Sequence, residues 1–163
     1  MKPFPVLQTI RCTLAPVTQE DIPMLHQIFD DVDTRRFLPE LCDAFQTTES
    51  LMQFITSFDK YFVQGEGFLW SIRKDDVLIG FIAIMDVSYN PILFYAMHPD
   101  FRNCGYMNEC LTEVMQYIYR NNICKSINTE VYKENLFSQQ LLARMGFMLY
   151  KKDSLKVYYR KTL

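Results

Sequence analysis

The residues best placed to do chemistry sit in the turn Arg102-Asn103-Cys104-Gly105-Tyr106-Met107-Asn108-Glu109. It joins an apolar run, Ile92 to Met97, to a segment in which Met107, Leu111, Val114, Met115 and Ile118 recur at helical spacing. A turn that opens a helix gathers unpaired backbone N–H groups at the positive end of the helix dipole. Such a place binds anions, phosphates above all. Gly105 has no Cβ and lets a ligand approach the backbone closely. The expected chemistry is therefore capture of a phosphate-bearing ligand by Asn103 to Asn108. Cys104 shares the turn, where a helix N-terminus lowers a thiol pKa. His98, before Pro99 at the strand end, reads either as a base or as a loop histidine, and His26 has no evident partner. No set of His, Cys and carboxylate residues has ligand spacing, so no metal is expected.

The wider wording, Tyr95-Ala96-Met97-His98-Pro99-Asp100-Phe101-Arg102-Asn103-Cys104-Gly105-Tyr106-Met107-Asn108-Glu109, resembles the coenzyme-A-binding segment of the GNAT superfamily of N-acetyltransferases. That segment reads Arg/Gln-x-x-Gly-x-Gly/Ala, with a proline three residues upstream and often Tyr-x-x-Glu after it. A second block, Glu130-Val131-Tyr132-Lys133-Glu134-Asn135-Leu136-Phe137-Ser138 followed by Met145-Gly146-Phe147, is similar to the family's second cofactor segment. The two blocks come in the family's order and spacing. The resemblance runs from about Ile10 to the C-terminus and is greatest to the branch of ribosomal-protein N-terminal acetyltransferases, RimJ and RimL.

The resemblance implies an acetyl-CoA-dependent enzyme that moves the acetyl group directly from a thioester to a primary amine. Acetyl-CoA is a co-substrate there, and no metal takes part. The pyrophosphate would lie against Asn103, Cys104, Gly105, Tyr106, Met107 and Asn108, beside Arg102. The backbone at Tyr95, Ala96 and Met97 would meet the thioester, with N–H groups polarising its carbonyl. Asn135 and Ser138 would complete the cofactor site, Ser138 touching the cofactor or serving the leaving thiolate. Their alternative roles are a helix cap and a first-turn hydrogen bond. The amine must lose a proton, and Glu130 matches the glutamate that serves as the family's base; alternation along its strand puts it with Asn128 and Tyr132, opposite Val131. It reads equally as a strand glutamate facing water, with Asp86 and Glu40 as other carboxylates. Three departures stand out: Met107 occupies the Gly/Ala position, Asn103-Cys104 replaces the commoner Gly-Lys, and Leu142 falls where many members carry a tyrosine acid. Protonation of the thiolate would then come from Ser138 or water. A domain that binds coenzyme A as a sensor or interaction module, without catalysis, is the alternative reading.

Composition fits a packed domain. At 163 residues the chain is long enough to bury roughly 70% of its unfolded surface. With 49% hydrophobic and 15% aromatic residues it has material for one core. A net charge of −2 offers no basic field for nucleic acid or an anionic membrane. Apolar runs are too short to span a bilayer. Five scattered cysteines, with no secretory leader ahead of them, read as reduced thiols of a cytoplasmic protein. The acceptor is expected to be a small-molecule amine or a protein N-terminus, and the protein a monomer or homodimer. Trp70, Phe37, Phe45 and Tyr89 could line an acceptor pocket or simply pack.

The elements that must position these groups follow in order. Residues 1–9, with prolines at 3 and 5, read as a loose leader ahead of a single acetyltransferase domain over 10–163. Ile10 to Ala15 suits a strand, and Thr18 caps a helix carrying Ile22, Leu25 and Ile28. Residues 30–39 break the pattern. A second helix fits Thr48 to Phe62, and Phe68 to Arg73 with Val77 to Asp86 reads as a hairpin. Ile92 to Met97 is a strand, Ser126 to Tyr132 another, Asn135 to Met145 a helix, and Phe147 to Arg160 a last pair of strands. This order indicates an α+β fold with a mixed, mostly antiparallel sheet flanked by helices. The resemblance adds that the sheet splays in the middle, between the strand ending at Met97 and the one beginning at Ser126.

Overall fold

The computed structural model describes residues 2–163 and contains one eight-stranded sheet with helices on both faces. In chain order the elements are β1 (Leu7–Gln8), β2 (Thr13–Pro16), α1 (Ile22–Asp30), α2 (Val32–Phe37), α3 (Pro39–Ala44), α4 (Thr48–Val63), β3 (Gly67–Lys74), β4 (Val77–Met85) and β5 (Ile92–Met97). Then come α5 (Tyr106–Arg120), β6 (Ser126–Tyr132), α6 (Leu136–Arg144), β7 (Met148–Lys152) and β8 (Lys156–Thr162). The strand order is β1-β2-β3-β4-β5-β6-β8-β7, and every pair is antiparallel except β5 with β6. Asp75 and Asp76, both at positive φ, make the tight turn that joins β3 to β4.

Each face of the sheet has its own core. One is filled by Leu25, Ile28 and Phe29 of α1 and Leu51, Phe54 and Phe58 of α4, packed on Leu69, Phe81 and Ala96. The other joins Leu111, Val114 and Ile118 of α5 and Leu142 of α6 to Trp70, Ile82, Leu93 and Ile127. β3 and β4 are buried almost throughout because both faces are covered.

The structure departs from the sequence reading in three places: the strand expected from Ile10 begins only at Thr13, with Ile10 exposed, and two longer stretches also differ. The expected loose leader is tied down: Leu7 and Gln8 pair with Leu14 and Thr13. Trp70 Nε1–H donates to the Pro5 carbonyl at 2.9 Å, and the Phe4 ring packs against Phe62 and Trp70. The prolines that argued against a strand only shift pairing two residues downstream; Met1 lies outside the described residues. Residues 30–39, expected as a break, hold α2 and the start of α3. Asp31 caps α2 through the Thr34 N–H. Leu38, between the two helices, is non-helical because Pro39 follows it, and Pro39 then opens α3.

Between β5 and β6 the sheet opens. The two strands share a single register pair, Ile92 with Asn128, and the Asn128 N–H donates to the Pro91 carbonyl at 2.8 Å. A continuing parallel ladder would next send the Glu130 N–H to the Leu93 carbonyl. That carbonyl instead accepts the Thr129 hydroxyl at 2.9 Å, and pairing stops. Beyond this point the facing backbone edges of β5 and β6 diverge. Replacing Thr129 with Val keeps the shape but removes the donor from a buried carbonyl. We expect Thr129→Val to lower stability by about 1–2 kcal/mol in urea unfolding, and unchanged stability would contradict this account of the gap.

Candidate active site

The backbone of β5 determines what the gap displays. The His98 N–H donates to Ile79 of β4 at 2.7 Å, so alternation sends the backbone groups of Ala96 and Phe94 toward β4 as well. Those of Leu93, Tyr95 and Met97 face the other way, toward β6. The Leu93 carbonyl meets Thr129 there, while the N–H groups of Tyr95 and Met97 are left facing open space. Gly80 of β4 lies tight against β5: a Cβ there would be 2.7 Å from the Ala96 carbonyl.

The loop after β5 is fixed from below by Arg102. Its guanidinium donates to Asp31 at 2.8 Å, to Thr34 at 3.0 Å and to the Met97 carbonyl at 3.2 Å, with Asp33 at 3.7 Å. Burial alone would raise the Asp31 carboxyl; hydrogen bonds from Arg102 and Thr34 outweigh it and hold the group below its usual range. Arg102 thus joins the end of β5 to the cap of α2. His98 also serves this corner. It is buried, its Nε2 pairs with Gln27 at 2.7 Å and its Nδ1 accepts the Asp100 N–H at 3.1 Å, the arrangement of a structural loop histidine.

Gly105 opens α5 at φ +81°, after Asn103 at φ +60°. No side chain caps this helix, whereas Asp31, Thr47 and Asn135 cap α2, α4 and α6, and prolines occupy the first turns of α1 and α3. The N–H groups of Tyr106, Met107 and Asn108 have no intrahelical acceptor. Successive left-handed turns with free N–H groups make an anion-binding concavity.

Loop, gap and α6 enclose a cavity of about 580 Å³. Its wall includes Tyr95, Ala96, Met97, Arg102, Asn103, Gly105, Tyr106, Met107, Asn108, Glu130, Asn135 and Ser138. Cys104 is the one expected site residue missing from the wall: its exposed thiol turns back on the Arg102 carbonyl at 3.3 Å. Asn135 accepts the Ser138 N–H at 3.2 Å as the cap of α6, and the Ser138 hydroxyl meets the phenol of Tyr95. Sequence reasoning missed Asp33, Thr34, Arg36 and Leu38, which α2 and its end contribute, and also Thr129 and Arg144. A capping Asp31 followed three residues later by Thr34 was the available signal for α2. Of the suggested acceptor aromatics only Phe37 lines the cavity. Trp70 stacks on Phe68 in the core, Phe45 packs on Phe54, and Tyr89 is 93% exposed.

Glu130 is half exposed on the face of β6 that looks toward α2 and α3. Lys156 Nζ lies 2.9 Å from it and 3.6 Å from Glu40, and the Tyr132 hydroxyl donates to Glu40 at 3.0 Å. Burial alone would lower the Lys156 ammonium, but the two carboxylates raise it overall. The gap therefore connects two unlike sides: Tyr95 and Ser138 with α5 and α6 on one, and Glu130, Glu40 and Phe37 with α2 and α3 on the other. Asp86 sits in an exposed turn at positive φ, outside the cavity wall. Among the described residues no group of three or more His, Cys, Asp or Glu side chains is arranged to hold a metal, and no helix is long and apolar enough to cross a membrane.

Residues 11–148 match the Acetyltransferase (GNAT) domain family. The chain belongs to the GNAT acetyltransferase family. It is thus an N-acetyltransferase that uses acetyl-CoA, and its sheet, open at the centre, is the fold of that family, as the sequence resemblance implied. A protein of Bacillus subtilis strain 168, described as the uncharacterized N-acetyltransferase YoaA, is 24% identical over 149 residues, 88% of this chain and 83% of its own. RimL, an alpha-N-protein acetyltransferase of a ribosomal protein solved with coenzyme A, superposes with a TM-score of 0.85 at 14% identity, covering 98% of both chains. Mycobacterium smegmatis RimJ, solved with a coenzyme A disulfide, gives 0.77 at 14% identity over 97% of this chain and 87% of its own.

The uncapped start of α5 yields a direct test. Valine at 105 would have to hold a left-handed φ and would place its Cβ 3.2 Å from the Arg11 guanidinium. Gly105→Val should weaken coenzyme A binding at least tenfold by calorimetry, with a thermal melt confirming that the variant folds. Affinity equal to the parent would show that the pyrophosphate does not sit on this loop.

Proposed function

We propose that this enzyme acetylates a primary amine that enters the gap from the α2–α3 side, while acetyl-CoA lies on the α5–α6 side. The observation that carries this reading is the cavity itself, which runs through the open sheet from the uncapped start of α5 to the carboxylate of Glu130. The pyrophosphate rests on the N–H groups of Gly105 to Asn108, and Asn135 and Ser138 border the pantetheine arm. The thioester carbonyl oxygen then meets the free N–H of Tyr95 or Met97. A preorganised donor of this kind lowers the barrier by roughly 3 kcal/mol as charge builds on the oxygen.

Glu130 is the proton acceptor in this reading, directly or through one water. The amine nitrogen bonds to the acetyl carbon, its proton passes to Glu130, and the carbon–sulfur bond breaks with its electron pair staying on sulfur. Lys156 holds the carboxylate in place and keeps a positive charge beside it. Two carboxylates, Glu130 and Asp33, and the ring of Phe37 line the acceptor side, which suits a cationic amine on a partly apolar stem. A protein N-terminus fits this description, and RimL and RimJ are similar to this chain in fold. A small primary amine fits it equally. A cytoplasmic setting is part of the same proposal, supported by five free cysteines, three of them buried.

The roles can be tested together. Wild-type protein and Glu130→Gln are assayed for free thiol and, by mass, for acetylated product with short peptides and small amines. Glu130→Gln should reduce turnover by roughly 10² or more and leave coenzyme A affinity nearly constant, because the lost interaction belongs to the transition state. Turnover within a few-fold of the parent would remove Glu130 from the mechanism.

A further inference from the structure

The phenol of Tyr95 and the hydroxyl of Ser138 hydrogen-bond across the cofactor side of the cavity. Tyr95 comes from the free edge of β5, and Ser138 from the first turn of α6, 43 residues later. The Asn135 cap fixes the Ser138 backbone. Among the described residues neither hydroxyl has any other hydrogen-bond partner, and both residues line the cavity. The sequence reading gave Tyr95 only a backbone function; its side chain is the new element.

A serine hydroxyl has one proton to give. If that proton went to the phenol, the serine would offer a ligand only lone pairs. A phenol is the better donor of the two, and burial pushes the Tyr95 hydroxyl up to about 12, so it keeps its proton throughout the working pH range. Tyr95 therefore donates to Ser138 Oγ, and the Ser138 proton is free to point into the cavity. Leu142, at the position where a tyrosine acid would be expected, is wholly buried and offers no alternative donor.

We propose that Tyr95 is a positioning residue for the departing thiolate: it orients the Ser138 hydroxyl so that its proton faces the sulfur of coenzyme A. This rests on the reading that Ser138 meets that sulfur. As the nitrogen–carbon bond forms and the carbon–sulfur bond breaks, the electron pair stays on sulfur and accepts the hydrogen bond from Ser138. The proton lost by the amine goes to Glu130 and on to water, which later supplies the thiol proton. None leaves Tyr95, whose phenol lies well above a thiol's usual value near 8.5.

Steady-state kinetics of Tyr95→Phe, Ser138→Ala and the double variant test this, with calorimetric binding of coenzyme A as the control for folding. Phenylalanine keeps the ring in the core, so binding should stay within threefold of the parent. Each single substitution should lower kcat about tenfold, the size expected for one hydrogen bond to a charged atom, with the KM for acetyl-CoA nearly unchanged. The double variant should be no slower than Ser138→Ala, because Tyr95 acts only through Ser138. Ser138→Thr, which keeps a hydroxyl, should retain most of the activity. If Ser138→Ala is slow but Tyr95→Phe keeps kcat within twofold, the role of Tyr95 is overturned while that of Ser138 stands. Multiplicative effects in the double variant, or a fall in coenzyme A affinity as large as the fall in kcat, would also overturn it. Full activity in Ser138→Ala would overturn the reading of Ser138 and this inference with it.

Discussion

β5 and β6 share a single register pair, with the Thr129 hydroxyl on the Leu93 carbonyl where the ladder would continue, and the rest of the site depends on that limit. Had the ladder continued, the backbone of Glu130 and Tyr95 would have been consumed in sheet hydrogen bonds, as backbone groups in a buried sheet normally are. Instead the Leu93 carbonyl accepts a side-chain hydroxyl and no further register pair follows. The Tyr95 and Met97 N–H groups are then left to a ligand, and a passage opens between the two faces. A central sheet gap is costly unless something fills it, so the same feature that weakens the empty fold favours binding of an extended cofactor arm.

Two further features hold the margins of the gap. Arg102 ties the end of β5 to α2 through Asp31, Thr34 and the Met97 carbonyl, so the phosphate loop and the acceptor side share one anchor. Lys156, on β8, does the same for the other margin by joining Glu130 to Glu40 on α3. The short helices α2 and α3 thus owe their placement to the Arg102 contacts of Asp31 and Thr34 and to the packing of Leu38, Leu41 and Cys42 on the core more than to propensity. Helices of six residues are marginal on their own.

Much of this was readable from the sequence where signals are local. The apolar run before Pro99, the glycine turn and the helical spacing after it place β5, the loop and α5 with little error. β6 and α6 follow from alternation and from the Asn135 cap. What escaped depends on distant partners. Thr129 is an ordinary strand threonine until Leu93, 36 residues earlier, lies beside it. Val32 is 77% exposed, so α2 has no apolar stripe to announce it. Arg102 lies where a cation for the phosphates was expected, yet its guanidinium is committed to Asp31 and Thr34, which only the packing of α2 brings within reach. Trp70 reads as a pocket aromatic until Phe4 and Pro5 fold over it.

The central claim is that the free edge of β5 receives the cofactor. Residue-resolved amide hydrogen exchange, with and without coenzyme A, tests it most directly. Tyr95 and Met97, whose N–H groups face the gap, should gain strong protection on binding. Phe94 and Ala96, already bonded to β4, should change little. Equal exchange at Tyr95 and Met97 with and without the ligand would contradict the account, whatever the affinity measured elsewhere on the molecule.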